Sequence, residues 1–106
     1  MDKKADEARK SSVRALDKAL RVLEYLSQIE GDMDLAVLSG QVRLPKSTLL
    51  RLLTTMRQHD FVHQDPATRR YRLGWALIYL GRAAAKVFDL TRMVRPYLER
   101  LAAETG

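Results

Sequence analysis

The chain has 106 residues, of which 46% are hydrophobic, enough for one domain with a buried core, or for such a domain with an appended segment. It contains no cysteine, which excludes disulfides, thiolate catalysis and cysteine-ligated zinc sites. Neither a signal peptide nor an apolar run of about twenty residues is present, so we expect a cytoplasmic protein without a membrane partner. The formal net charge of +6 favours an anionic partner.

The excess positive charge is concentrated in one segment. From Arg43 to Arg72 there are seven Lys or Arg residues and two acidic ones, whereas the other 76 residues hold twelve basic and eleven acidic side chains. Clustering of this kind is typical of a nucleic-acid-binding surface.

Residues 1–12 are charged and hold almost no large apolar side chains, and we interpret them as a disordered arm. The arm either has no role or adds weak phosphate contacts through its lysines and arginines. A helix is predicted over 13–29, with Ser11 or Ser12 as its N-cap. Its apolar residues exceed what one core-facing stripe needs, so we expect Leu20 and Leu23 to contact a second subunit as well.

Two helices joined by a tight corner follow, over 35–42 and 45–59. Asp34 is predicted to cap the first helix, and Pro45 to occupy the first position of the second. One face of the second helix is apolar at the helical period, with Leu49, Leu52, Leu53 and Met56. The opposite face is polar, with Ser47, Arg51, Thr54 and Gln58. This division is typical of a helix that packs on a core and reads base pairs, although an ordinary amphipathic surface helix has the same pattern.

After His59 the apolar period changes from 3.6 to 2. Residues 61–64 and 71–73 flank a turn that carries Arg69 and Arg70, which predicts a β-hairpin with a basic tip. The predicted fold class is therefore mainly α with a small β-hairpin. It consists of a winged helix-turn-helix DNA-binding domain over 13–73, followed by a linker helix and a C-terminal helix.

The linker helix, over 74–88, is apolar on almost all sides and should be buried on all sides. In so short a chain we expect a second subunit to bury it. The predicted dimer interface comprises Leu20, Leu23, Trp75, Leu77, Tyr79, Leu80, Ala84 and Phe88. A last helix, capped by Asp89 and bent at Pro96, carries an apolar stripe with no obvious cover, so we expect 89–106 to begin another domain.

Several motifs resemble the IclR family of bacterial transcriptional regulators, from about residue 12 to the end of the chain. They are Leu-Pro-Lys-Ser-Thr at 44–48, Arg-Leu-Leu at 51–53 and Tyr-Arg-Leu-Gly at 71–74. The resemblance implies an operator-binding domain that acts as a homodimer or a dimer of dimers. It also implies a larger C-terminal domain for a small-molecule effector, so we expect this chain to be a fragment. The family usually has glycine where Arg43 stands.

The candidate DNA contacts combine positioning and reading roles. Lys46, Ser47 and Thr48 lie in the first turn of the reading helix, where free N–H groups favour a phosphate. Arg51 is the predicted guanine contact. The remaining candidates are Arg43, Leu50, Thr54, Arg57, Arg69 and Arg70.

Leu50 suits a thymine methyl group or packs on the preceding helix. Arg69 and Arg70 are placed to enter a minor groove.

Catalysis, metals and cofactors are not expected. His59 and His63 have the i, i+4 spacing of zinc ligands, but the helix should end near Asp60, so they should not share a face. The main alternative function is a winged-helix module for protein–protein assembly. RNA binding is less favoured, since the basic surface lacks stacking aromatic residues.

Overall fold

The computed structural model describes residues 3–88 and 90–105. The described elements are the helices α1 (Lys3–Gln28), α2 (Leu35–Val42) and α3 (Lys46–Gln58), the strands β1 (Val62–Gln64) and β2 (Tyr71–Leu73), and the helices α4 (Ala76–Val87) and α5 (Leu90–Thr105). The predicted fold class, a helical domain with a hairpin wing, is confirmed. The chain forms two compact units, which divide between Ala76 and Leu77.

The first helix differs from its prediction. It begins at Lys3 rather than at residue 13, so the predicted disordered arm is wrong for residues 3–12, and the predicted N-caps Ser11 and Ser12 lie inside the helix. The segment lacks large apolar side chains, but seven of its ten residues are Ala, Glu, Lys or Arg, which have high helix propensity. Acidic and basic residues spaced four apart, such as Asp6 and Lys10, add favourable pairs along the exposed helix.

The core lies where α1, α2, α3 and the hairpin meet. Its buried members are Val22, Leu26, Leu38, Val42, Leu44, Leu49, Leu53, Met56, Val62 and Tyr71. Three of the four predicted apolar positions of α3 are buried, and the fourth, Leu52, packs against this cluster. The apolar face predicted for α3 is thereby confirmed.

The corner between α2 and α3 has defined caps. The Asp34 carboxylate accepts a hydrogen bond from the Val37 N–H at 2.8 Å, as predicted for the N-cap of α2. Pro45 is the N-cap of α3, one residue before the first helical position that we predicted for it. Its ψ of 145° reflects extended backbone at the cap, and its carbonyl accepts the first helical hydrogen bond, from Leu49 at 2.9 Å.

The end of α3 and the end of β2 cross at very short range. The Asp60 N–H donates to Arg57 at 3.0 Å and the Phe61 N–H to Met56 at 2.9 Å, which is a Schellman termination with Asp60 at φ 61°. Gly74 then donates its N–H to the Phe61 carbonyl at 2.7 Å. A Cβ on Gly74 would collide with the backbone carbonyl of Asp60, so only glycine fits this crossing.

The two strands pair antiparallel, with Val62 opposite Leu73 and Gln64 opposite Tyr71. The loop after α1 joins this sheet through a bridge in which Met33 and Tyr71 exchange hydrogen bonds of 2.9 and 2.7 Å. The hairpin is therefore fastened to the helical core as well as to α3, which fixes the direction in which its tip projects.

Helices α4 and α5 supply most of the second unit. No residue of α4 is buried. Large apolar side chains are exposed in the helix at Ile78, Tyr79, Leu80 and Val87, and beside its two ends at Trp75 and Phe88. Helix α5 includes Pro96 and has three exposed large apolar side chains, those of Tyr97, Leu98 and Leu101. The predicted cap Asp89 lies outside the described residues. Among the described helices, none is both long and apolar enough to cross a membrane.

Candidate nucleic-acid interface

The outward face of α3 is exposed over its length. The predicted polar positions Ser47, Arg51, Thr54 and Gln58 are all exposed, and Leu50 beside them is 45% exposed. The Thr54 hydroxyl donates to the Leu50 carbonyl at 2.7 Å. Because its proton is used within the helix, this hydroxyl is better suited to accept a hydrogen bond from a base than to donate one to a phosphate.

The first turn of α3 leaves backbone donors available to an anion. The helix has no side-chain cap, since its N-cap is Pro45. The N–H groups of Lys46, Ser47 and Thr48 precede the first helical hydrogen bond, which Leu49 donates. Aligned N–H groups and the helix dipole at this end favour a phosphate, and the Lys46 side chain is exposed beside them.

Arg43 forms the corner that leads into α3. Its backbone is left-handed, with φ 56° and ψ 49°, and its N–H donates to the Ser39 carbonyl as the C-cap of α2. Ser39 returns a hydrogen bond from its hydroxyl to the Leu44 carbonyl at 2.5 Å. Glycine adopts this backbone without strain, whereas an arginine at this φ costs about 1–2 kcal/mol relative to a right-handed conformation.

Replacing Arg43 by glycine and by alanine separates its backbone role from its charge. Both changes remove the same charge, but only glycine relieves the left-handed strain. We expect R43G to be more stable than R43A by about 1 kcal/mol in urea unfolding. If Arg43 also contacts a phosphate, both variants should lose DNA affinity equally. Equal stabilities for the two variants would contradict the strained corner.

The tip of the wing is built around Asp65. Its carboxylate accepts hydrogen bonds from the N–H groups of Ala67 at 2.8 Å and Thr68 at 3.0 Å. These backbone donors, Thr68 first, lower the pKa of Asp65 below its ordinary value. The turn ends at Arg69, whose φ is 66°, and the exposed Arg69 side chain lies at the tip.

Arg70 does not stand free at the tip. Its guanidinium forms an ion pair of 3.3 Å with Asp32 in the loop after α1, and both side chains are partly exposed. An exposed pair of this kind contributes only about 0–1 kcal/mol, so DNA can compete for Arg70. In the free protein, however, only Arg69 of the two predicted wing arginines is unpaired among the described residues.

Three basic residues of α1 lie against α2 or α3, and the sequence alone did not single them out. Arg14 and Lys18 line a cleft with Arg51 beside the reading helix. Arg21 donates a hydrogen bond of 2.9 Å to the Val42 carbonyl and so caps the end of α2. Their spacing, at i, i+4 and i+7, was the available signal, because it places all three on one face of α1.

His59 and His63 lie in different elements of the structure. His59 is the C-cap of α3 and His63 lies in β1, so the two residues share no helix face. Within 3–88 and 90–105, no group of three or more His, Cys, Asp or Glu residues is placed to hold a metal ion.

Residues 15–66, which span α1 to the wing tip, match the family model of the IclR helix-turn-helix domain. The chain carries the helix-turn-helix domain of the IclR family. Over 94 residues it is 34% identical to the transcriptional repressor IclR of Escherichia coli K12. The aligned region covers 89% of this chain and 34% of that protein. Over the same length it is 33% identical to the acetate operon repressor of Salmonella typhimurium LT2, with the same coverage.

The fold is similar to that of a solved structure of this family. A crystal structure of an IclR transcriptional regulator from Alicyclobacillus acidocaldarius matches with a TM-score of 0.70 and 37% identity, over 88% of this chain and 38% of that one. The chain therefore spans about a third of the length of the curated relatives that it matches.

Proposed function

We propose that this chain is the DNA-binding part of a transcriptional regulator, and that α3 lies in the major groove of an operator with the wing beside it. The observation that carries the proposal is the exposed polar face of α3, which begins with uncapped N–H groups and lies within a segment of net charge +5. The similarity to proteins named as repressors supports repression as the direction of regulation.

The protein–protein alternative has less support from the same surface. A face made for protein contact would have an apolar centre and few charges. The outward face of α3 instead carries hydroxyl, amide and guanidinium groups around one half-exposed leucine, Leu50. Such groups match base edges and phosphates better than they match an apolar partner.

Arg51 and Lys46 should have different roles on the same helix. Lys46 lies in the first turn, where phosphate is already attracted, so K46A should weaken specific and random DNA alike and lower the salt slope by about one unit per subunit. Arg51 lies more than one turn further along, on the exposed face. R51A should cost about 1–3 kcal/mol on the operator half-site, less on random DNA, and relax the preference at one base pair.

Affinities of both variants for a selected operator duplex and its scrambled counterpart, at two salt concentrations, test this assignment. If R51A weakens binding to both duplexes equally, Arg51 is a phosphate contact and the assignment of the reading residue fails. If neither variant changes either affinity, α3 is not the DNA-binding element and the proposed function fails with it.

We infer further that the chain binds DNA as a homodimer through α1 and α4. On α1, Leu16 and Leu20 are 61% and 49% exposed although they continue the stripe that enters the core. Leu16, Leu20 and Leu23 line an apolar groove of about 350 Å³ with Met56 and Phe61. The exposed apolar residues of α4 form a second surface, which we expect to be buried in the dimer.

A polar substitution at Leu20 should therefore weaken association. We expect sedimentation velocity at micromolar concentration to show a dimer for the wild type and a shift toward monomer for L20E. V37E is the matched control, because Val37 has a similar exposure of 47% but lies on α2, outside the inferred interface. A wild type that stays monomeric with and without DNA would contradict the dimer.

A further inference from the structure

A cleft between α1 and α3 gathers three cationic side chains beside the reading helix. Its volume is about 490 Å³, and Arg14 and Lys18 of α1 line it opposite Arg51 of α3. The other lining residues are uncharged: Ala15, Thr48, Leu52 and Thr55. Among the described residues, then, no carboxylate lines the cleft to balance the three positive charges.

The cleft cations remain available to a ligand. Arg14, Lys18 and Arg51 form no ion pair with any described residue. Arg14 uses only its Nε atom, in a long hydrogen bond of 3.4 Å to the Lys10 carbonyl, which leaves its terminal nitrogens free to donate. The Thr48 hydroxyl likewise has no hydrogen-bond partner within the described residues.

The position of the cleft matches the position of a DNA strand. An α-helix with its side chains is about 10–12 Å across, close to the width of about 12 Å of the major groove. A reading helix in that groove therefore has a phosphate backbone along each flank. The α1 flank of α3 is the flank that carries Thr48, Arg51 and Thr55.

We propose that this cleft binds a backbone phosphate of the DNA, held by Arg14 and Lys18 together with the Thr48 hydroxyl. This inference rests on the proposed function, since it assumes that α3 lies in the major groove. It extends the DNA-binding surface to α1, and so to a helix outside the segment 43–72 in which the excess positive charge is concentrated.

The same cleft explains how Arg51 is kept for base recognition. Three like charges repel one another across the cleft, so a guanidinium that stays beside Arg14 and Lys18 is disfavoured relative to one that extends toward the groove. Once Arg14 and Lys18 neutralise the phosphate, Arg51 is not needed as its counter-ion. Arg14 and Lys18 are therefore positioning residues, and Arg51 remains the reading residue.

The test is a double variant, R14Q with K18Q, which removes two charges but keeps long, helix-favouring side chains. We expect its affinity for both a selected duplex and the scrambled duplex to fall about ten-fold or more, the loss expected for a charge-assisted hydrogen bond. The salt slope should fall by about one unit per subunit, and the ratio of the two affinities should stay unchanged. R95Q with R100Q on α5, where both side chains are exposed and lie outside the proposed DNA-binding and dimer surfaces, is the control with the same charge loss.

Each other outcome has a defined meaning. If the double variant matches the α5 control, the cleft holds no DNA phosphate and the inference fails while the proposed function stands. If the wild type binds neither duplex, the proposed function itself fails. Isothermal titration with inorganic phosphate is the second arm: phosphate binding that the double variant loses, with an unchanged DNA salt slope, would assign the cleft to a free anion and overturn the inference.

A charge-conserving variant guards against a folding defect. R14K with K18R keeps both charges in the cleft, so it should recover the wild-type salt slope and most of the affinity. A failure to recover at an unchanged melting temperature would show that packing, not phosphate binding, explains the loss in the double variant, and would contradict the inference.

Discussion

Raising the salt concentration from 50 to 200 mM should lower the DNA affinity of this protein by about 10³–10⁵. The expectation assumes a dimer that makes about 6–10 phosphate contacts, each of which releases a counter-ion when it forms. We expect the cations of α1, α3 and the wing to supply these contacts, with Lys46 and Arg69 as exposed examples. Fluorescence anisotropy with a labelled duplex over a salt series measures the slope.

Circular dichroism at each salt concentration is the control, because it shows whether the lost affinity comes from unfolding. A folded protein whose affinity hardly changes with salt would contradict this expectation, since the basic cluster would then lie away from the DNA.

Removing one wing charge in R69Q should lower the salt slope by about one unit per subunit, in the same way as K46A.

Replacing Gly74 by alanine should destabilise the helix-turn-helix unit by about 3 kcal/mol or more, a large share of the 5–15 kcal/mol typical of a domain. The added Cβ would meet the backbone of Asp60 and Phe61, which cannot rotate away as a side chain could. The turn after α3 or the end of β2 must then shift, and the hydrogen bond of 2.7 Å from Gly74 to Phe61 is lost. Thermal and urea unfolding measure the effect.

Gly40 gives a matched control within the same unit. It lies inside α2, and a Cβ there would meet no atom within 4 Å. G40A should therefore be neutral or more stable by up to about 1 kcal/mol, because alanine favours the helix. Similar stabilities for G74A and G40A would show that the backbones do not cross as closely as the structure indicates.

The bounds of α2 and α3, the cap of α2 and the two strands could be predicted from the sequence because their physical causes are local. The apolar period of α3 is carried by Leu49, Leu53 and Met56, all of which are buried. Asp34 caps α2 as its position before an apolar run indicated. The change from a period of 3.6 to 2 placed both strands within one residue of their observed bounds.

The predictions failed where the structure depends on tertiary contacts or on weak local preferences such as helix propensity. Lack of apolar residues suggested disorder for 3–12, yet helix propensity and the continuous helix behind it extend α1 to Lys3. The ion pair of Arg70 with Asp32 joins residues 38 apart in the chain, a pairing that no local pattern indicates. The cleft of Arg14, Lys18 and Arg51 likewise requires two helices to meet.

The central claim is that this chain recognises a DNA sequence through α3. Its most direct test is binding-site selection from a random duplex pool, followed by affinities for the selected duplex and its scrambled counterpart at physiological salt. We expect a strong consensus and an affinity ratio of about 10³ or more. A pool without enrichment, or affinities for the two duplexes within about ten-fold of each other, would contradict it.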